Sequence, residues 1–183
     1  MKITILNGNP DSENTGFDGY LFNLRTRLSE ADNDVTELVL RDMDIQYCLG
    51  CFGCWIETPG ECIVKDDSAM VCRQMINSDL VLCTSPIIMG FPSALLKKML
   101  DKVIPLIHPY FVIDQGEYHH KARYKRYPLL GAIWEKSGNT DDRDIEIVNE
   151  IHSRTALNFK SRLAVTCTTD DSLKEVADEI SRL

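Results

Sequence analysis

Residues 79–84, with the sequence Asp79-Leu-Val-Leu-Cys-Thr84, give the clearest strand pattern in the chain. A short, uninterrupted apolar segment is typical of a strand buried in a parallel sheet. Similar apolar or β-branched segments predict further strands at residues 2–7, 34–40, 127–134 and 162–168. Helical spacing of apolar residues, together with capping residues, predicts helices at residues 17–30, 66–77, 93–104, 141–159 and 172–183.

Strands that alternate with helices imply a parallel sheet with helices on both faces. Five such units predict a single α/β domain over residues 1–183, built as a doubly wound five-stranded parallel sheet of flavodoxin-like order 2-1-3-4-5. Residues 105–126 are expected to form a long irregular connection. Ligands of such sheets bind beyond the carboxyl ends of the strands. We therefore expect the site to combine loops 8–16, 85–93 and 135–139 with a cysteine-rich loop at 48–62.

The composition argues against several classes of partner. The 183 residues carry a formal net charge of −8, which disfavours nucleic acid or an anionic membrane as the main partner. No apolar segment approaches the roughly 20 residues that cross a bilayer, and the N-terminal residues form a strand pattern rather than a signal peptide. Seven cysteines, four of them close together, fit a reducing compartment better than a disulfide framework. We therefore expect a cytoplasmic protein without nucleic-acid or membrane partners.

The four clustered cysteines, Cys48, Cys51, Cys54 and Cys62, have the spacing C-x2-C-x2-C-x7-C. Thiolates at such spacing suit an iron–sulfur cluster or zinc. Zinc sites more often use two separated pairs of ligands. The alternatives are a loop of free thiols packed with Phe52 and Trp55, or an oxidised pair such as Cys51 with Cys54. The remaining cysteines, Cys72, Cys83 and Cys167, are expected to be small buried hydrophobic residues.

Two loops have compositions that suit a cofactor. Loop 8–16 precedes a helix, whose first N–H groups favour an anion such as phosphate, and its Ser12, Asn14 and Thr15 add donors. Its acidic residues oppose an anion, so an ordinary turn is the alternative. Loop 85–93 is uncharged and contains Pro86, Met89, Gly90 and Phe91. It suits a flat aromatic ring, with a core-facing loop as the alternative.

Three motifs resemble those of one family. They are Gly8-Asn9-Pro10-Asp11-Ser12-Glu13-Asn14-Thr15, the cysteine motif followed by Ile63-Val64-Lys65-Asp66-Asp67, and Ser85-Pro86 through Gly90-Phe91 with Ser93 and Leu96-Lys97. Together they resemble the flavodoxin-like NADPH-dependent FMN reductase family, and most closely its iron–sulfur flavoprotein branch. The resemblance covers residues 1–105 by motif and the remainder by fold. Asn9 and Asp11 stand where the family's phosphate loop usually has Ser and Arg.

The resemblance implies an FMN-dependent oxidoreductase in which the flavin, rather than a side-chain acid or base, carries the chemistry. It implies NAD(P)H or a reduced ferredoxin as electron donor, and a homodimer or tetramer. A 4Fe–4S cluster on Cys48, Cys51, Cys54 and Cys62 would exchange electrons with the flavin. The residues implied for FMN are Gly8, Asn9, Pro10, Ser12, Asn14, Thr15, Ser85, Pro86, Ile87, Ile88, Met89, Gly90, Phe91, Lys136, Ser137, Gly138 and Asn139.

Two other functions remain open. One is an electron carrier that holds FMN and a cluster and serves a protein partner. The other is a non-enzymatic metal-binding or interaction protein on the same fold. The histidines within residues 105–126 are expected in a solvated or interface loop. The functional alternatives for this connection are covering of the flavin and binding of an anionic substrate. His152 is expected on the surface of its helix.

Overall fold

The segment that begins at Leu80 forms the central strand of the sheet in the computed structural model, which describes residues 1–114 and 116–183. Its parallel neighbours are the first strand on one side and the strand from Leu129 on the other. Within those residues the strands in chain order are β1 (Lys2–Asn7), β2 (Asp34–Val39), β3 (Leu80–Ile88), β4 (Phe91–Pro92), β5 (Ile107–Asp114), β6 (Glu117–Ala122), β7 (Leu129–Glu135) and β8 (Leu163–Thr168).

The main sheet has the order β2-β1-β3-β7-β8, with the short β4 paired antiparallel to the end of β3. The predicted α/β architecture with a mostly parallel sheet is therefore confirmed. The five parallel strands follow the predicted order, but the predicted strand count is too low. The sixth strand of this sheet is β4, and a separate antiparallel pair is formed by β5 and β6.

The described residues form the α-helices α1 (Thr15–Glu30), α2 (Gly53–Ile56), α3 (Ser68–Ile76), α4 (Ala94–Leu100), α5 (Asp142–Asn158) and α6 (Leu173–Ile180), and all but the short α2 cover the faces of the sheet. Helices α1 and α6 bury their apolar residues on one face, and α3, α4 and α5 bury theirs on the other. Strong capping fixes where two of them begin: the Asn14 side chain accepts from Phe17 N, and Asp141 forms a capping box with Asp144. Within the described residues, no helix is both long and apolar enough to cross a bilayer.

Residues 105–126 differ most from the sequence prediction. The expected irregular connection is wrong, because this region contains a 3₁₀ helix at Ile104–Leu106 and the antiparallel hairpin β5–β6. The segment Tyr110-Phe-Val-Ile113 is rich in aromatic and β-branched residues, which favour strands. The surrounding histidines and arginines hid that preference, so composition suggested a loop where local strand propensity prevails.

Loop 85–93 is also shorter than predicted. Strand β3 continues through Ile88, so residues 85–88 are strand rather than loop. Only Met89 and Gly90 lie between β3 and β4, and both have positive φ, 53° and 76°. Two such residues make the tight turn that matches the twist of an antiparallel pair. The structure therefore presents the second half of this segment as a hairpin edge.

His152 is buried rather than on the surface, with only 3% of its area exposed. Its ring packs edge-on against Trp134 with centroids 4.7 Å apart, and its Nδ1 lies 2.9 Å from Val148 O. Burial lowers the pKa of His152, which favours the neutral ring. The correction follows from helix geometry, because Val148, His152 and Ala156 lie at four-residue intervals on the face of α5 that meets the sheet.

Candidate functional site

The first predicted loop is attached directly to the central strand and to the start of α4. Gly8 N donates to Thr84 O at 2.8 Å, and Ser93 Oγ donates to Gly8 O at 2.5 Å. A Cβ atom at Gly8 would lie 2.7 Å from Leu96 Cβ and 2.8 Å from Thr84 O, so only glycine permits this contact. The structure thus brings loop 8–16 and the end of β3 together, as predicted.

Asn9 has a different position from the one expected of a cofactor ligand. It is fully buried, and its Nδ2 donates to Asp18 Oδ1 at 3.0 Å and to Asn14 O at 3.2 Å. Asp18 also accepts from Arg41 Nη2 at 2.7 Å. Burial alone would raise the pKa of Asp18, but hydrogen bonds from Arg41, Asn9 and Asn7 outweigh it and lower the pKa. Asn9 therefore shapes the loop from within, and the Arg41 charge is already paired.

The phosphate end of the predicted site contains both favourable and opposing groups. Thr15 is the first residue of α1 and Ser12 lies three residues before it, so two hydroxyls stand beside the helix N-terminus, where an anion is favoured. The N–H groups of Thr15 and Phe17 already donate, to Glu13 O at 2.8 Å and to Asn14 Oδ1 at 3.3 Å. Against this, Glu13 N is occupied by Asp11 Oδ1 at 2.9 Å. Asn14 Nδ2 donates to Glu135 Oε2 at 2.6 Å, which places a carboxylate beside the loop. The donor set suits a phosphate, and Glu135 weakens its attraction.

The segment predicted to contact a flat ring divides into inward and outward residues. Ser85 and Ile87 are fully buried, and Ser85 Oγ accepts from Ser93 N at 2.8 Å. Ile88, Met89 and Phe91 are exposed, Met89 by 98%. An exposed apolar edge of this kind can lie against an aromatic ring, whereas the two buried residues only support the strand.

Residues 136–139 join the same edge through α5. Lys136 Nζ donates to Asp142 Oδ1 at 3.0 Å, and Ser137 N donates to Thr140 Oγ1 at 3.0 Å. Gly90 faces the same helix end, since a Cβ atom there would lie 2.8 Å from Asp144 Oδ1. Gly138 and Asn139 are exposed at this edge. Three of the four predicted loops therefore form one continuous rim at the carboxyl ends of β1, β3 and β7.

The four clustered cysteines border a single narrow cavity. Its lining includes Cys48, Cys51, Cys54 and Cys62 together with Tyr47, Lys102 and Pro105. All four are free thiols; Cys48 and Cys51 are exposed, Cys54 is buried and Cys62 is half-buried. Burial and the neighbouring sulfurs of the other three raise the pKa of Cys54. The volume is about 20 Å³, enough for about one water, so the four cysteines enclose no room for a larger group in this conformation.

A buried ion pair underlies this cavity, and sequence reasoning missed it. Lys102 Nζ donates to Asp66 Oδ2 at 2.5 Å, and the two side chains are 1% and 0% exposed. Burial alone would raise the pKa of Asp66, but hydrogen bonds from Lys102, Ser68 and Gln46 N lower it to about 2. Lys102 lies three residues after Met99 and so shares the apolar face of the predicted helix 93–104. A lysine on an apolar face indicates a buried charge, and this was the signal that the sequence offered.

The cysteine loop does not join the other three loops. Trp55 Nε1 donates to Ile104 O at 3.0 Å and to Ile107 O at 2.9 Å, which anchors the loop beyond the C-terminus of α4. Helix α4 begins beside Gly8 and spans seven residues, or roughly 10 Å. The expectation that all four loops share one edge is therefore wrong for residues 48–62, and α4 separates the cysteine cavity from the rim.

Cysteines outside this loop behave as packing residues. Cys72 and Cys83 are buried, as predicted, and Cys167 is half-buried. Burial raises the pKa of each of these thiols to about 12. They remain protonated at neutral pH, which makes them weak nucleophiles and poor metal ligands.

The sequence model of one protein family, described as NADPH-dependent FMN reductase, matches residues 1–123. An iron–sulfur flavoprotein of Archaeoglobus fulgidus is 28% identical over 102 residues, which cover 56% of this chain and 48% of that protein. An iron–sulfur flavoprotein of Methanocaldococcus jannaschii is 29% identical over 113 residues, covering 58% of this chain and 53% of that protein. The chain thus matches about half the length of each of these relatives.

Among solved structures, an NAD(P)H:quinone oxidoreductase from Methanothermobacter marburgensis superposes with a TM-score of 0.66. The alignment covers all of this chain and 92% of that one, at 16% sequence identity. At this identity the likeness establishes a shared fold.

Proposed function

The chain belongs to the NADPH-dependent FMN reductase family, and from this we propose that it is an FMN-binding oxidoreductase that exchanges electrons between the flavin and a 4Fe–4S cluster. The observation that carries the proposal is the rim formed by loop 8–16, the β3–β4 turn and residues 136–139. It lies at the carboxyl ends of the strands, where doubly wound sheets bind their ligands.

The side chains and backbone groups of the rim would hold the cofactor at three places. Ser12, Asn14 and Thr15 would bind the phosphate, Met89 and Phe91 would lie against the ring, and residues 136–139 would border its edge. When bound, FMN supplies a centre that accepts hydride or single electrons. The exposed apolar edge would exclude water from one ring face, while Gly8 and Ser93 keep the loop fixed to β3.

The four cysteines would ligate the cluster, which supplies a one-electron centre when bound. In the described part of the chain, no three His, Cys, Asp or Glu side chains converge on a position for one metal ion. Ligands of a cluster bind different iron atoms, so their sulfurs need only surround a shared cavity. Cys48, Cys51, Cys54 and Cys62 line one cavity, and their C-x2-C-x2-C-x7-C spacing is what supports a cluster over zinc.

The test is an anaerobic absorption spectrum of the purified protein, with iron and acid-labile sulfide assays on the same sample. We expect a flavin spectrum with a broad brown shoulder and about four iron atoms per chain. In Cys51→Ser the iron and the shoulder should be lost while the flavin stays. Cys167→Ser is the matched control and should retain both centres. A protein that remains colourless after addition of FMN would overturn the proposal.

The electron donor is proposed to be NAD(P)H, with a reduced ferredoxin as the alternative. One observation favours the protein donor: Tyr47, Leu49 and Phe52, which line the cysteine cavity, are 72%, 75% and 50% exposed. An apolar surface beside a redox centre suits docking of another protein. Anaerobic stopped-flow reduction by NADPH, NADH and reduced ferredoxin distinguishes the two donors.

We also propose that the protein is cytoplasmic and forms a homodimer or tetramer. Sedimentation velocity tests the oligomeric state.

A further inference from the structure

A second and larger cavity lies between α3, the end of the cysteine loop and the segment that follows β6. Its volume is about 450 Å³, within the usual range of small-molecule sites. Four cationic side chains border it, Arg73, Arg123, Arg126 and Lys102, against a single carboxylate, Glu61. In a chain whose formal net charge is −8, this local excess of positive charge marks a place where an anion is attracted.

Three of these cations already have carboxylate partners. Lys102 is paired with Asp66, Arg126 Nη2 lies 2.9 Å from Asp79 Oδ1, and Arg73 makes a long contact of 3.9 Å with Glu61. The long Arg73 contact leaves that guanidinium free to turn toward the cavity. The cavity charge is therefore only partly neutralised by the protein itself.

Arg123 has unused hydrogen-bonding capacity. Its Nε is buried and has no hydrogen-bond partner within residues 1–114 and 116–183. Its Nη2 donates to Ile107 O over a long distance of 3.4 Å. Its side chain lies along Gly60, since a Cβ atom there would be 3.8 Å from Arg123 Cδ. Because Nε is enclosed by protein, an oxyanion in the cavity would bind through the terminal Nη atoms, where a guanidinium makes bidentate contacts. Arg123 thus lines the cavity with terminal N–H donors that the single long contact to Ile107 does not use up.

We propose that this cavity binds a small organic anion that carries a phosphate or carboxylate group. Arg123 would bind the oxyanion, with Arg73 and Arg126 at the opening. Apolar walls from Ile76, Pro105 and Leu106, with Tyr124 beside them, would contact the organic part of the ligand. Phosphate and carboxylate present the same paired oxygens to a guanidinium, so the geometry specifies that shared chemistry.

The site is separate from the proposed flavin rim. Arg126 pairs with Asp79, which immediately precedes β3, so the cavity extends toward the amino ends of the strands. It does border the cysteine cavity, because Cys62, Lys102 and Pro105 line both. A bound anion would therefore lie next to one of the four clustered cysteines.

Titration calorimetry of the protein as purified, at constant ionic strength, tests the proposal with inorganic phosphate and succinate as probes. Binding of phosphate would indicate a phosphate-bearing ligand, and binding of succinate a carboxylate. Arg123→Gln should weaken binding at least about tenfold, as expected for loss of a charge-assisted bidentate contact. Arg143→Gln is the matched control, because Arg143 is exposed on α5 and pairs with Glu146 at 2.9 Å.

Arg126→Gln decides the matter if the Arg123 variant fails to fold, as judged by circular dichroism. Arg126 is exposed, so its substitution should leave the fold intact and weaken binding severalfold. Failure of both probes to bind at millimolar concentration would overturn the proposal. Binding that Arg126→Gln and a folded Arg123→Gln leave unchanged would also overturn it. Flavin and iron content have no part in these outcomes.

Discussion

At the scale of single residues, Lys102 has a large expected effect on stability. Lys102→Met would leave the Asp66 carboxylate buried without its cation, which costs about 3–5 kcal/mol in the free energy of unfolding. Urea denaturation at pH 7 measures this. The double variant Lys102→Met/Asp66→Asn should recover part of the loss, because it removes the unpaired charge.

Lys97→Met is the matched control, since Lys97 of α4 forms an exposed pair with Asp101, the residue that caps this helix, and should contribute little. Equal losses in the two methionine variants would show that burial does not make the Lys102 pair special.

Because His152 is buried, we expect the free energy of unfolding to depend on pH. Burial lowers its pKa in the folded state, so the folded protein holds the neutral ring while the unfolded chain binds a proton below pH about 6.5. The stability that this group contributes is present above that pH and is lost as the pH falls further. Urea denaturation at pH 7.5 and 5.5 should show a smaller decrease in His152→Phe than in the original chain. An unchanged decrease would contradict the assignment.

Replacement of Glu135 by glutamine is expected to increase the affinity for FMN. If the flavin phosphate binds at loop 8–16, Glu135→Gln removes the carboxylate held by Asn14 and should tighten FMN binding severalfold. Fluorescence titration with FMN measures the dissociation constant, and the gain should shrink at high salt. Glu146→Gln, on the exposed side of α5, is the control and should change nothing. Weaker binding in the Glu135 variant would place the phosphate elsewhere.

Residue composition located the rim but not its detailed contacts. Loops 8–16 and 85–93 were predicted because glycine, proline and hydroxyl residues cluster locally in the sequence, but most of the second loop is strand, and only its turn at Met89 and Gly90 remains. The contact of Asn14 with Glu135 joins residues 121 positions apart, and no local pattern signals it. The inward orientation of Asn9 likewise depends on Asp18, which accepts from its side chain, and on Arg41, which donates to its backbone O; both meet it only in the folded chain.

At the scale of secondary structure, the β3–β4 turn stores local strain. Met89 has φ of 53°, a conformation that costs a non-glycine residue about 1–2 kcal/mol and that asparagine tolerates better. Met89→Asn creates an Asn-Gly turn and should raise the free energy of unfolding by about 1 kcal/mol. It should also weaken FMN binding, because the exposed apolar side chain would be lost. Thermal unfolding and FMN titration measure the two effects.

Ile113→Asn is the control, since Ile113 is exposed on β5 away from this turn and should not be stabilised by asparagine. A Met89 variant with unchanged stability would mean that the turn relaxes in solution.

Element prediction succeeded where periodicity was long and failed where segments were short. The five predicted helices and the five parallel strands were recovered with shifts of a few residues at their ends. The antiparallel pair β5–β6 was missed because Pro109 and the charged residues of β6 give these segments a composition that is typical of loops. The four-residue helix α2 was missed because its fold depends on Trp55 reaching Ile104 and Ile107.

At the scale of the whole molecule, one face of the sheet packs an apolar core and the other carries the cavities. The face covered by α1 and α6 is an apolar core built around Phe17 and Val176. The opposite face carries α3 and α4, the cysteine cavity, the cationic cavity and the buried Lys102–Asp66 pair. Sequence alone could place the strands in order, but only the packed structure shows that the cysteines lie at the far end of α4.

The two tryptophans lie in different surroundings, so the fluorescence of one can be compared with that of the other. Trp134 is fully buried in the sheet, whereas Trp55 lies in the cysteine loop and stacks on Phe52 with ring centroids 5.2 Å apart. Any change that opens or fills the loop should alter the emission colour and intensity of Trp55 and leave that of Trp134 almost constant. Trp55→Phe and Trp134→Phe would separate the two contributions, so light emission alone could follow the state of the cysteine loop in real time.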